Sequence, residues 1–263
     1  MKHVLQIALS SLRDVSRNRW GLLYTAFFAL ATTGLFQLQA HAEKVAVSLM
    51  SLCLVLTPLV SVVFGTLHFY NLREFIELML TQPVRRRDVY LGIYLGLATA
   101  LIASLLIGVG VPWLLFGLGG VEQALSLLVL LLTGSALTMI FLGVAFLVAT
   151  LTDDRGKGIA AALAIWLVSA LLYDGVVLFV ATEFSDYPLE KPLLLMSLLN
   201  PIDLARVTLL VQSDMAALMG YTGAVFNRFF GTSLGIIVAG LSLVAWAVTP
   251  VAAGLVRFRR KDF

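Results

Sequence analysis

Gly156-Lys157-Gly158 sets a lysine between glycines, but no Ser or Thr follows it, and position 151 is Leu where a phosphate-binding loop needs its first glycine. The usual route to ATP hydrolysis is closed to this chain. No nucleophile has a neighbouring His, and no H-E-x-x-H occurs. Met215 and Met219 are four apart and Met50 and Cys53 three apart, spacings that would bring soft sulfur ligands together for Cu(I) on a helix. Both residue types are also ordinary core fillers. His3, His41 and His68 fall on different sides of the chain's layout, so no metal site is expected. Asp174 is the one acidic residue well inside a long apolar run, and it should face the bundle, a partner chain or water rather than lipid. Arg206 is its candidate partner. A proton relay would lack a second ionisable group in the same span, and an intramembrane enzyme would rest on Asp174 alone.

The elements that position these residues follow from charge. The 263 residues are 60% hydrophobic and 13% charged, with a mean hydropathy of +0.98. A soluble domain carries about 25% charge, so the chain is an integral membrane protein, and disordered, disulfide-rich and conventional soluble classes are excluded. With one cysteine, no intramolecular disulfide forms. Charge-free runs occupy Trp20 to Ala42, Val45 to Leu72, Val89 to Val121, Gln123 to Thr152 and Phe229 to Val256, and a sixth, Gly158 to Thr182, is broken only by Asp174. Each exceeds the about 20 residues that cross a bilayer. The expectation is one all-α transmembrane domain over 1–263 with six membrane helices at about 21–40, 45–69, 91–117, 124–150, 159–181 and 233–256. Fourteen of the 18 Lys and Arg residues then lie on one side, which places both termini in the cytoplasm. Pro192 to Ile202 is also apolar, but its 11 residues are too few to span, and a re-entrant or interfacial segment fits better. Gly92 with Gly96 and Gly231 with Gly235 would permit close helix approach, and Pro58, Pro112 and Pro250 would bend helices 2, 3 and 6. Ala40-His41-Ala42 resembles a signal-peptidase site, but the leader and apolar run before it are too long for a cleaved signal peptide.

In residues 2–20, Leu5, Ala8, Leu9, Leu12 and Val15 share one helical face and Gln6, Ser10, Arg13 and Arg17 the opposite one, so the leader should lie in the interface with Trp20 as an aromatic anchor. After helix 2, in the segment 71–90, Leu72, Phe75, Ile76, Leu78 and Met79 recur at helical spacing among Arg73, Glu74 and Glu77. That pattern stops before Pro83. Arg85, Arg86 and Arg87 follow, with Asp88 as an N-cap for helix 3. Such a segment either lies on lipid phosphates or docks in a groove on a cytoplasmic partner. Across the membrane, 183–231 is the one sizeable loop: Asn200 suits an N-cap, Pro201 the first helical position and Asp203 the helix dipole. A second start at Ser213 is closed by Gly220. Two short helices should therefore cap the outer ends of the spans as a lid, a gate or a docking surface.

The leader, the six helices and the string E-F-I-E-L-M-L-T-Q-P-V-R-R-R-D-V-Y-L-G-I-Y-L-G together resemble permeases of the ABC type-2 transporter superfamily. Asn200 to Arg206 and Ala217 to Phe226, which contains Tyr221, are similar to the NosY-like group, membrane subunits of the transporter associated with maturation of nitrous-oxide reductase. The resemblance implies that residues 1–20 are an elbow helix. It also implies that Glu74, Phe75, Glu77, Leu78, Pro83 and Arg85 to Arg87 form a coupling site for a separate ABC ATPase, which would bind the ATP and Mg²⁺. Asn200, Pro201, Asp203, Arg206 and Tyr221 would form an outer gate or a docking surface for a periplasmic accessory protein. A homodimer in the inner membrane, contacting lipid and no nucleic acid, is the implied assembly. The rival expectation is a scaffold that anchors partners and passes no substrate.

Overall fold

The computed structural model describes residues 19–39, 42–117, 120–184, 190–212 and 232–260. The leader before Arg19, Met215, Met219, Tyr221, Gly231 and the second short helix expected after Ser213 lie outside the described residues. Ten α-helices are described: α1 (Arg19–Leu38), α2 (Ala42–Asn71), α3 (Arg73–Leu80), α4 (Arg86–Phe116), α5 (Val121–Leu151), α6 (Arg155–Leu167), α7 (Tyr173–Glu183), α8 (Glu190–Leu199), α9 (Pro201–Gln212) and α10 (Ser233–Arg260). A π-turn, Val168–Leu172, joins α6 to α7 into one span, Arg155–Glu183. With α1, α2, α4, α5 and α10 this makes the six membrane-crossing helices expected.

α5 stands at the centre of the bundle, packed by α2, α4, α6, α9 and α10, while α1 lies on α4. The apolar residues left exposed, among them Leu22 and Leu30 on α1, Leu178 and Phe179 on α7 and Leu241 and Val248 on α10, are those that a bilayer covers. Interhelical contact is close where side chains are small. A Cβ at Gly143 on α5 would come 2.9 Å from Val251 of α10. Pro58, Pro112 and Pro250 lie within helices that continue through them.

Aromatic rings fix which helix ends lie together. Phe146 on α5 meets Phe69 of α2, Tyr90 and Tyr94 of α4 at centroid separations of 5.3, 5.7 and 5.7 Å, and Phe258 of α10 lies 5.3 Å from Tyr90. The loop carrying α3, the α5–α6 turn and the end of α10 therefore share one side of the membrane, the arginine-rich side.

The polar segment between the last two spans goes deeper than a cap. α8 and α9 meet at a bend of 114°, so α9 folds back past the perpendicular, the geometry of a re-entrant loop more than of a straight seventh span. Asn200, at the bend, donates to the carbonyl of Ser169, which has fourteen residues of its 29-residue span on either side. Trp246, near the middle of α10, donates to the Leu198 carbonyl at 3.0 Å. The bend thus sits at mid-membrane: Pro192–Leu199 and Pro201–Leu210 form a re-entrant hairpin, and α9 begins deep in the bundle instead of on its surface. The sequence misleads here because its end signals define a helix start without fixing its depth. Backbone at that depth has no water, so its carbonyls are served by the Asn200 and Trp246 side chains.

Candidate functional site

On the arginine-rich side, α3 forms because Ile76, wholly buried, anchors one face of an eight-residue helix, with Leu72, Met79 and Leu80 packing beside it. Its other face leaves Glu74, Phe75, Glu77 and Leu78 exposed, Leu78 by 60%. The helix ends as Thr81 folds its hydroxyl back to the Leu78 carbonyl at 2.7 Å. A tight turn about Pro83 follows, closed by the Val84 amide on the Gln82 carbonyl at 2.7 Å. α4 then starts at Arg86, one turn earlier than an Asp88 cap requires. Arg85 occupies the N-cap position without a side-chain bond, and Asp88 lies inside the first turn, where its carboxylate complements the helix dipole.

A second loop is fastened to α3. Arg73 reaches Glu77 at 3.4 Å along its own helix and Asp153 at 3.4 Å in the α5–α6 turn, and it donates to the Asp153 carbonyl as well. Three residues before Arg73, the Tyr70 hydroxyl donates to the Thr152 carbonyl at 2.9 Å. Asp154 then caps α6 through the Lys157 amide, and hydrogen bonds from the Lys157 and Gly156 amides hold its carboxyl below the usual range. Gly158 touches the Tyr70 ring, leaving no room there for a Cβ. Sequence reasoning missed Tyr70, Arg73 and Asp153 as one assembly. Asp154 before a helix was the available signal, but nothing in the chain ties residue 73 to residue 153.

Arg85 caps α4 and Arg86 and Arg87 begin it, Arg85 and Arg87 exposed and Arg86 half-buried. Arg86 donates to the Arg259 carbonyl at 3.4 Å, beside the basic end of α10.

Inside the membrane, the Arg206–Asp174 pair expected from the sequence is present at 2.8 Å. Asp203, one helical turn before Arg206, lies 3.7 Å from the same guanidinium nitrogen and is buried. Asn200 caps α9 by accepting from the Ile202 amide at 3.0 Å while its amide holds Ser169, and Pro201 takes the first helical position as expected. Tyr173 donates to the Met196 carbonyl and Ser197 to the Leu193 carbonyl. Cys53 and Met50 are buried in the core, and no group of three or more His, Cys, Asp or Glu among the described residues suits a metal ion. A groove of about 440 Å³ between α4 and α5, lined by Leu106, Leu114, Leu127, Leu128, Leu131 and Ser135, is aliphatic and suits an acyl chain.

Six spans, an exposed amphipathic helix tied to a neighbouring loop and a charged hairpin together define a multi-pass membrane protein. The family model described as "ABC-2 family transporter protein" matches residues 5–263, and the chain belongs to that family, as a membrane permease subunit of an ABC transporter. It is 27% identical over 290 residues to a protein of Stutzerimonas stutzeri named probable ABC transporter permease protein NosY, with 99% of both chains covered. It is 29% identical over 277 residues to a protein of the same name from Pseudomonas aeruginosa, again with 99% of each covered. An ABC ATPase partner goes with such a subunit.

Proposed function

We propose that this chain, as a homodimer with its arginine-rich side in the cytoplasm, converts ATP hydrolysis in a separate ATPase into movement of its membrane helices. α3 is the coupling helix. The observation that carries this reading is its outward face: Glu74, Phe75, Glu77 and Leu78 are exposed while Ile76 holds the helix to the bundle. Leu78 and Phe75 suit an apolar cleft, and the two glutamates suit basic groups at its rim. Through Arg73 and Asp153, a push on α3 reaches the α5–α6 turn, and through α6 the re-entrant hairpin, which acts as the outer gate. An elbow helix before Arg19 and a periplasmic accessory protein docked on the hairpin's loop complete the assembly. The similarity to NosY proteins supports a substrate in the class of copper or sulfur species delivered for nitrous-oxide reductase maturation in the inner membrane.

Replacing 75–79 by Gly and Ser residues, or Glu74 and Glu77 by Gln, should abolish co-purification with the ATPase from membranes. Retained association with normal ATP turnover would sink the assignment. A scaffold that passes no substrate is favoured by one observation, the aliphatic lining of the described groove. Substrate-stimulated ATP hydrolysis by the reconstituted complex distinguishes the transporter from it.

A further inference from the structure

Asp203 presents a problem in charge balance. It stands three residues beyond Asn200, about 5 Å along α9 from the mid-membrane bend at 1.5 Å per residue. It is 5% exposed, and its Oδ2 is buried with no hydrogen-bond partner. The guanidinium that would neutralise it is committed elsewhere: Arg206 is 2.8 Å from Asp174 and 3.7 Å from Asp203. With both carboxylates ionised, the cluster would hold two negative charges against one positive, and the one on Asp203 would be buried with an oxygen bare.

The described side chains around it supply no second cation, Lys191 at the start of α8 lying outside them. α9 packs against α2, α5, α8, α10 and the π-turn. α5 from Gln123 and α10 up to Val256 carry no charged residue. α2 offers the Cys53 thiol, which faces Thr57 and Tyr24, with Tyr70 and His68 near its arginine-rich end. From α7 come Asp174 and Tyr173, whose hydroxyl hydrogen goes to Met196. From α8 comes Ser197, whose hydroxyl is in hydrogen-bonding reach of the Asp203 carboxyl. That hydroxyl also bonds the Leu193 carbonyl at 3.1 Å, and it reaches one Asp203 oxygen while Oδ2 stays bare. A metal cation would need several oxygen ligands, and no group of three or more suitable side chains occurs among the described residues.

We propose that the Asp174–Arg206–Asp203 cluster is a proton-binding site in which Asp203 is the neutral acid while Arg206 holds Asp174. Two carboxylates sharing one guanidinium in an apolar setting share one proton. When the hairpin shifts against α7 and Arg206 turns from Asp174 to Asp203, the Asp203 O–H bond breaks. Its electron pair stays on the carboxylate oxygen, and the proton leaves to water on the side from which the hairpin enters. The exchange therefore makes the hairpin's position depend on protons whichever partner drives the permease.

The test is infrared difference spectroscopy of the full chain in lipid nanodiscs at neutral pH. A protonated-carboxyl C=O band, shifted down in D₂O, is expected in the wild type and lost in Asp203→Asn, while Asp203→Glu displaces it. Asp174→Asn is expected to lose it too, because Arg206 then pairs with an ionised Asp203. Asp203→Asn, neutral and of the same shape as the acid, should melt at the wild-type temperature. A wild type without the band, a band that survives Asp203→Asn unchanged, or a marked loss of melting temperature in Asp203→Asn each overturns the proposal. Retention of the band in a folded Asp174→Asn overturns the exchange. Should Asp174→Asn fail to fold, the two Asp203 variants decide the assignment.

Discussion

The side-chain amide of Asn200 holds the Ser169 carbonyl at 2.7 Å, joining the bend of the re-entrant hairpin to the π-turn of the fifth span. Its oxygen caps α9 at the same time. Asn200→Ser keeps an acceptor for the cap and gives up the Ser169 bond, whereas Asn200→Ala gives up both. The Ala variant should lose about 1 kcal/mol more than the Ser variant, the usual worth of an N-cap. Equal melting temperatures for the two would show that the cap contributes nothing.

Arg206 and Asp174 should prove energetically coupled. A double-mutant cycle with Arg206→Gln and Asp174→Asn is expected to give an interaction of about 0.5 to 3 kcal/mol, the range for residues in one ion-pair network. Additive effects in thermal melts of the nanodisc-held protein would contradict the pairing.

Gly158→Ala tests the packing of α6 on α2. Alanine in a helix normally gains about 0.5 to 1 kcal/mol over glycine, but here its Cβ meets the Tyr70 ring, and overpacking costs about 1 to 3 kcal/mol. The variant should be destabilised, and Tyr70→Ala in the same chain should relieve it. A stabilised Gly158→Ala would mean that the two helices stand farther apart.

Arg73→Ala separates transmission from folding. The Arg73–Asp153 pair is exposed, so its loss should change stability by less than about 1 kcal/mol. ATP turnover by the assembled complex should nonetheless lose part of its response to substrate, since the Tyr70–Thr152 bond would then hold the α5–α6 turn without the tie from α3. A variant with full substrate stimulation would show that the pair transmits nothing.

Asp154 gives the arginine-rich end a dependence on acid. Its carboxyl is held below the ordinary value of 3.8 by the Lys157 and Gly156 amides. A depressed folded value contributes stability that is present above 3.8 and is lost as pH falls through the folded value. Melting measured from neutral pH downward should show this loss in the wild type and less of it in Asp154→Asn, which keeps a neutral cap. Identical pH profiles would remove the capping role.

Much of this architecture is legible in sequence because lipid leaves helices few alternatives. Charge-free runs mark the six spans, and the pattern around Ile76 marks α3. Asp174 and Arg206 were matched because a charge at that depth demands a partner. The depth of the hairpin was not legible: Asn200-Pro201 signals a helix start equally well at the surface or in the middle of a bilayer, and only the bonds to Ser169 and Trp246 settle which. Asp88 misled because an acidic residue serves an N-cap and a first turn alike. The Arg73–Asp153 tether spans 80 positions and involves common surface residues, so no local pattern announces it.

The π-turn at Val168–Leu172 carries a numerical consequence. Such a turn holds one residue more than the α-turn it replaces. Removing that extra residue would return the span to regular winding and leave what lies beyond it facing nearly as before, whereas removing a residue from the regular α6 would rotate everything beyond it by about 100°, one step of a 3.6-residue helix. Asp174 would swing away from Arg206 while the segment stayed as apolar and nearly as long. The orientation of the pair is thus set by chain arithmetic: a single-codon deletion in α6 that leaves both partners present would still uncouple them.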